Sequence, residues 1–180
     1  MPDTQWPRYQ VFVQEREGEP HQDAGTVHAP DPELALLNAR DVFVRRPACI
    51  SLWLVPAEAI TTRNLITPFE TESNRSSTGD MLPYFIFRKL KPAASLSEAC
   101  LVTAQSSQEA LDLAIAHFSR SEPAEEPASL WWAFPAEAVL TSRPEDLESL
   151  FQPALDKPFR QSTDFKTHTM MRQIVERSQK

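Results

Sequence analysis

The chain has 180 residues, of which 41% are hydrophobic, and a formal net charge of −7. Ten phenylalanines and four tryptophans supply large apolar side chains for a packed core, which excludes an intrinsically disordered chain. Nucleic acid is not an expected partner, because its binding depends on basic clusters and the densest one here is Arg45-Arg46. The longest apolar run, residues 49–55, is too short to cross a bilayer, and the first residues lack a signal-peptide pattern. We therefore expect a cytoplasmic protein with no membrane partner.

The first 63 residues predict a unit with the element order ββαβ. Runs rich in β-branched and aromatic residues predict strands at 9–15, 22–28 and 50–55. A helix is predicted over 32–45, because Asp31 is a good N-cap and Pro32 is tolerated at the first helical position. Pro56 ends the third strand, and residues 57–59 are expected to form a helical turn.

The same elements are predicted a second time, in the same order. Strands are expected at 84–90, 97–103 and 129–134, with a helix over 107–120. That helix begins with a capping box, in which Ser106 is followed three residues later by Glu109. Pro135 ends the third strand, and residues 136–138 predict another helical turn.

The two sets of elements are similar in sequence. With an offset of 75 positions, ten of the 37 pairs between residues 9–45 and 84–120 are identical, against about two or three expected by chance. After a four-residue insertion, residues 53–60 match residues 132–139 at an offset of 79. This pattern predicts an α+β fold of two tandem ββαβ repeats, each with one helix and a largely antiparallel sheet, packed as a compact pseudo-twofold body.

The predicted organisation has four parts. Residues 1–63 form the first repeat, 64–82 a polar linker, 83–150 the second repeat and 151–180 a C-terminal tail. The tail is rich in proline at first and is expected to end in a short amphipathic helix around residues 170–175.

Sequence motifs for catalysis are absent. The four histidines, among them His21 and His28, have no carboxylate or nucleophile at a recognisable spacing, and no Glu-x-x-His ligand pair occurs. A chain with three glycines does not favour a phosphate-binding loop, and Cys49 and Cys100 lack zinc-site spacing and are expected to be reduced thiols. No catalytic residue, metal ligand or cofactor site is predicted.

Aromatic and basic residues are the candidates for contact with a partner. Trp53 and Trp132 occupy matching places on the third strands, where they could be core aromatics or anchors for another protein. Arg45 and Arg120 end matching helices, where a cation also complements the helix dipole. The predicted interface residues are Trp6, Arg45, Arg46, Trp53, Trp132, Phe151, Lys157 and Arg160.

The first half resembles a known family. Residues 6–13 (WPRYQVFV), 21–29 (HQDAGTVHA), 35–46 (ALLNARDVFVRR) and 51–55 (SLWLV) resemble the B subunit of the bacterial phenylacetyl-CoA epoxidase complex. The late segments 151–154 (FQPA) and 157–160 (KPFR) resemble the C-terminal part of the same family. The resemblance covers residues 6–63 most specifically and 84–165 less so.

This resemblance implies a structural role. The family's B subunit has no active site and bridges a catalytic di-iron subunit and its structural sibling, which would be the partners of this chain. The family member is usually a single unit that pairs with itself, so we expect this chain to be a fused version of that dimer, able to form further homo-oligomers. Two alternatives remain: a small α+β enzyme with a pocket between the repeats, and a stand-alone binding or regulatory module.

Overall fold

The computed structural model describes residues 6–44, 49–66, 80–90, 94–121, 129–142 and 150–151, and the backbone alone of 69–71. These residues contain helices α1 (Pro32–Phe43) and α2 (Ser107–Ser121) and a nine-stranded sheet. The strands are β1 (Arg8–Gln14), β2 (Gln22–His28), β3 (Ser51–Pro56), β4 (Thr61–Asn64), β5 (Phe69–Thr71), β6 (Leu82–Lys89), β7 (Ser97–Ala104), β8 (Leu130–Pro135) and β9 (Leu140–Thr141).

The helices begin at the caps that the sequence predicts. The Asp31 carboxylate accepts a hydrogen bond from the backbone N–H of Leu34, at 2.7 Å, and Pro32 is the first residue of α1. At α2, the Ser106 hydroxyl accepts from the N–H of Glu109, and the Glu109 carboxylate accepts in return from the N–H of Gln105. Each helix therefore begins with a side-chain cap.

The sheet is antiparallel at every pairing between described strands. Its order is β5-β4-β8-β6-β7-β2-β1-β3-β9. Strands β2 and β7 meet at the centre through a single residue pair, Gln22 with Ser97, whereas β1–β2 and β6–β7 pair along most of their length. We call β1, β2, β3 and β9 with α1 half 1, and β4 to β8 with α2 half 2.

The two halves exchange short strands. Strand β4 follows β3 in the chain but pairs with β8 of half 2, and β9 follows β8 but pairs with β3 of half 1. The chain therefore crosses from half 1 to half 2 after β3 and returns after β8, so half 1 combines residues from two separate parts of the chain.

Each half has a helix-facing side and an inner side. The helix-facing residues Val11 and Leu54 pack with α1 in one core cluster, and Ile86 and Ala133 pack with α2 in another. A third cluster lies between the inner sides and draws residues from both halves: Phe12, Val55, Ala59, Ile60, Phe87, Leu96 and Phe134. Because successive side chains of a strand point to opposite faces, one strand serves two cores. The resulting layers are α1, half 1, half 2 and α2.

The α+β class and the antiparallel sheet with two helices are as predicted, and the strand at Gln22–His28 has the predicted bounds. Three short strands are additions to the prediction: β4, β9, and β5, which lies inside the stretch predicted as a linker. Strands of two to four residues are too short to show a hydrophobic period, and β4 and β9 in addition pair with strands that are distant in sequence. The predicted helix around 170–175 lies outside the described residues.

Among the described helices, none is both long enough and apolar enough to cross a membrane.

Candidate functional site at the junction of the two sheet halves

The point where β2 meets β7 brings together groups from both halves. The N–H of Asp23 donates to the carbonyl of Leu96, and the N–H of Glu98 donates to the carbonyl of His21, each at 2.8 Å. These two bonds and the single Gln22–Ser97 pair hold the centre of the sheet. Beyond this point the two strands have no described bonds to each other, so the junction is short.

His21 lies at this junction and has polar partners on both ring nitrogens. Its Nδ1 is 3.1 Å from Oε2 of Glu98, which belongs to half 2, and its Nε2 is 3.1 Å from the hydroxyl of Ser51. The residue is 5% exposed, and its ring stacks on Trp53 with centroids 3.6 Å apart. A buried imidazole needs such partners, because an unpaired polar group away from water costs free energy. The four side chains form one connected cluster, which we call the histidine corner.

The sequence analysis did not identify Glu98 and Ser51 as the partners of His21, because it found no carboxylate or nucleophile at a recognisable spacing from this residue. Glu98 is 77 positions away from His21 and Ser51 is 30 away. The sequence does contain one signal: with the offset of 75, Glu98 falls on Asp23, two residues after His21. An acidic residue therefore occurs at the same position of both repeats, but this match does not predict that Glu98 faces His21.

Three of the four positions that correspond to the histidine corner hold apolar residues, which we call the apolar corner. With the same offsets, His21 falls on Leu96, Ser51 on Leu130 and Trp53 on Trp132. Leu96 is 3% exposed and packs in the cluster between the halves, with Leu130 and Trp132 against it. The two corners therefore have the same backbone bonds and different side-chain chemistry.

Asp23 accepts hydrogen bonds from within its own half. Its Oδ1 bonds to the Gln10 side-chain amide and, at 3.1 Å, to the N–H of Gly25. Burial raises the pKa of this carboxyl above its ordinary value, while the two hydrogen bonds and the charge of Lys89 act in the opposite direction. Keeping Asp23 ionised therefore costs the folded state free energy.

Other chemically active groups of the described residues are not gathered into a site. Burial raises the pKa of Cys49 to about 11, so this thiol is protonated near neutral pH and is a poor nucleophile. No three metal-binding side chains come together among the described residues. One pocket lies within half 1, beside the loop from β1 to β2, and its lining includes Glu15, Glu19, Asp23 and Phe43.

The predicted interface residues have different surroundings. Trp53 and Trp132 are half-buried, and both contribute to the cluster between the halves; Trp53 also lies 4.6 Å from the Phe85 ring. Trp6 is 58% exposed, and Phe151 is buried against the α1 core. Arg45, Arg46, Lys157 and Arg160 lie outside the described residues. The structure brings the two tryptophans into one core and leaves Trp6 at the surface.

Comparison with known proteins identifies the family. The sequence model of the family described as "Phenylacetic acid degradation B" matches residues 5–74 and 81–172. The chain is also 43% identical over 60 residues to the B subunit of the 1,2-phenylacetyl-CoA epoxidase of Escherichia coli (strain K12), a match that covers 33% of this chain and 63% of that relative. No solved structure matches the chain. Because the family model covers most of its length, the chain belongs to the phenylacetic acid degradation B family.

Proposed function

We propose that this chain is a non-catalytic bridging subunit of a multicomponent di-iron oxygenase that acts on an aromatic CoA thioester such as phenylacetyl-CoA. The proposal rests on family membership and on the similarity to the B subunit of an epoxidase. Its partners are the catalytic di-iron subunit and the structural sibling subunit, and its place of action is the cytoplasm.

We further propose that the chain is a fused pseudo-dimer, in which each repeat takes the place of one copy of a single-unit relative. The exchange of β4 and β9 is the observation that carries this. Thr61 pairs with Ala133 and Thr62 with Trp132, while Leu140 pairs with Leu54 and Thr141 with Trp53. Under the offset of 79 these are the same pairs with the halves interchanged, as a twofold axis between two copies requires.

The two stretches matched by the family model support the same interpretation. One of them, 5–74, contains the first set of elements, and the other, 81–172, contains the second. A domain boundary between repeats then falls in the 64–82 stretch, although β5 lies within it. The cluster between the halves would be the former contact between two subunits, now inside one chain.

Deletion and reconstitution test the proposed role. The oxygenase is purified from the native host grown on an aromatic acid, once from cells that make this chain and once from cells that lack it. Turnover of phenylacetyl-CoA is then measured with a reductase added to supply electrons. We expect the catalytic and sibling subunits to co-purify with the chain and activity to fall when it is missing. Full activity of a complex assembled without it would contradict the proposal.

The histidine corner favours a second candidate function, that of a small acyl-transfer enzyme. A hydroxyl, an imidazole and a carboxylate within hydrogen-bond reach in this order are the arrangement that activates a serine nucleophile. Hydrolysis of phenylacetyl-CoA and of p-nitrophenyl acetate by the purified chain tests it, with Ser51→Ala and His21→Gln as the variants. Turnover that both variants abolish would favour this candidate, whereas a rate equal to that of buffer would remove it.

A further inference from the structure

The pocket in half 1 combines an apolar wall with three acidic residues. It has a volume of about 160 Å³, several times what one water molecule needs. The acidic residues are Glu15, Glu19 and Asp23, and the apolar wall includes Val13 and Phe43. Such a lining suits a long cationic side chain, because its methylene groups can pack on the apolar wall while its charge meets the carboxylates.

The corresponding place in half 2 contains a cation that the repeat supplies itself. With the offset of 75, Val13 falls on Arg88 and Phe43 falls on Phe118. The guanidinium carbon of Arg88 lies 3.9 Å from the centre of the Phe118 ring, in a cation–π contact. Val13 and Arg88 have corresponding partners on both neighbouring strands, so the two side chains start from the same place in each half. Half 2 therefore shows which group fits beside this aromatic ring.

The charges at the corresponding positions differ between the halves. In half 2, the position of Val13 and those of the three acidic residues hold one arginine and one glutamate, whose charges cancel. In half 1 the same four positions have a net charge of −3. Arg16 forms an exposed ion pair with Glu19 at 3.1 Å, and the charge of Lys89 acts on Asp23, but neither is among the described residues that line the pocket. The half 1 pocket therefore suits a cation from another part of the chain.

The predicted tail begins in the core cluster that borders this pocket. Leu150 and Phe151 are buried in the α1 cluster, and Val13 and Phe43 pack against the same cluster. Residues 152–180, which lie outside the described residues, contain six Lys and Arg against three Asp and Glu, so their net charge is +3 and that of residues 1–151 is −10. Arg160 is the first arginine after Phe151. An extended chain of this length reaches about 30 Å, roughly twice the distance between the outer strands of half 1.

We infer that Arg160 of the tail docks in the half 1 pocket beside Phe43, in the place that Arg88 takes beside Phe118 in half 2. Arginine suits this place because its planar guanidinium both stacks on an aromatic ring and donates to carboxylates. A cation in the pocket also favours the ionised form of Asp23, which burial disfavours. The contact lies within one chain, so the inference goes beyond the proposed function and does not depend on it.

Hydrogen exchange of the isolated full-length chain, followed by mass spectrometry, tests the inference. The measured quantity is the protection of the backbone amides around Arg160, relative to their intrinsic exchange rates. Val13→Arg gives half 1 the cation that half 2 has and fills the pocket, whereas Arg160→Ser removes the docking side chain. Thr26→Arg adds the same charge at an exposed residue that does not line the pocket, and it is the matched control. Circular dichroism on heating checks that all variants fold.

We expect Val13→Arg and Arg160→Ser each to lower this protection by about threefold or more, and Thr26→Arg to leave it unchanged. Equal protection in the wild-type chain and all variants would overturn the inference. A loss in Arg160→Ser that Val13→Arg does not share would place the tail elsewhere, and an equal loss in Thr26→Arg would mean that net charge alone holds it; either result would also overturn the inference. Unchanged protection together with weaker binding of Val13→Arg to another oxygenase subunit would make a partner's basic side chain the occupant, which contradicts the inference and leaves the proposed function standing.

Discussion

The histidine corner and the apolar corner occupy corresponding positions and differ in what connects the halves. Around His21 the connection is polar, and a side-chain bond to Glu98 joins one half to the other. Around Leu96 the connection is apolar, and the corresponding acid, Asp23, bonds to Gln10 of its own half. The backbone bonds at the junction are the same in both cases. The comparison teaches that two contacts can share the same backbone bonds and differ in their side chains, so that the junction is polar at one end and apolar at the other.

The largest expected effect concerns the cluster that both corners border. Phe12 is completely buried there, with its ring 4.4 Å from that of Phe87 and 5.4 Å from that of Phe134. Phe12→Ala should lower the free energy of unfolding by about 3–5 kcal/mol, because it removes packed aromatic contacts and leaves a cavity. Urea denaturation measures the change. Leu101→Ala removes a large apolar side chain from an exposed position and is the control; its free energy of unfolding should change by no more than about 0.5 kcal/mol. Equal losses of stability in the two variants would contradict the layered core.

A smaller effect is expected at the histidine corner. His21→Leu copies the apolar corner but leaves the Glu98 carboxylate without its ring partner, so we expect a loss of about 1–2 kcal/mol. A double-mutant cycle with Glu98→Gln should give a coupling energy of about 0.5 kcal/mol or more. His28→Leu, at an exposed histidine whose Nδ1 bonds to the Trp6 carbonyl, serves as the control and should change little. Strictly additive losses in the cycle would mean that the contact between the halves contributes nothing.

The smallest effect concerns Asp23, the acid next to the apolar corner. Because its folded-state pKa is raised, mainly by burial, the carboxylate costs stability above that pKa and the cost disappears below the ordinary aspartate value of about 3.9. Asp23→Asn keeps an oxygen that can accept from Gln10 and should slightly stabilise the chain at pH 7 but not at pH 3. Thermal unfolding across this range measures the difference, with Asp80→Asn at an exposed carboxylate as the control. A loss of stability at pH 7 would show that the charge itself is needed.

Local patterns predicted the elements but not all of their partners. Asp31, Pro32, Ser106 and Glu109 predict the starts of both helices because caps act within a few residues of the chain. The exchange of β4 and β9, by contrast, depends on two halves meeting in space, and strands this short leave no period to detect.

The candidate site was predictable only in part for the same reason. Repeat matching places Trp53 and Trp132 in corresponding positions, and both do border the core between the halves. The contact of His21 with Glu98 joins residues from different halves, and its counterpart at Leu96 has no polar group, so the repeat contains no second example of it.

The stoichiometry of the assembled oxygenase tests the central claim most directly. Native mass spectrometry of the complex, reconstituted from purified catalytic subunit, sibling subunit and this chain, counts the copies of each. A fused pseudo-dimer predicts one copy of this chain for every two catalytic subunits, since its two halves occupy the places of two single-unit chains. Two copies for every two catalytic subunits, or a complete complex that excludes the chain, would contradict the account.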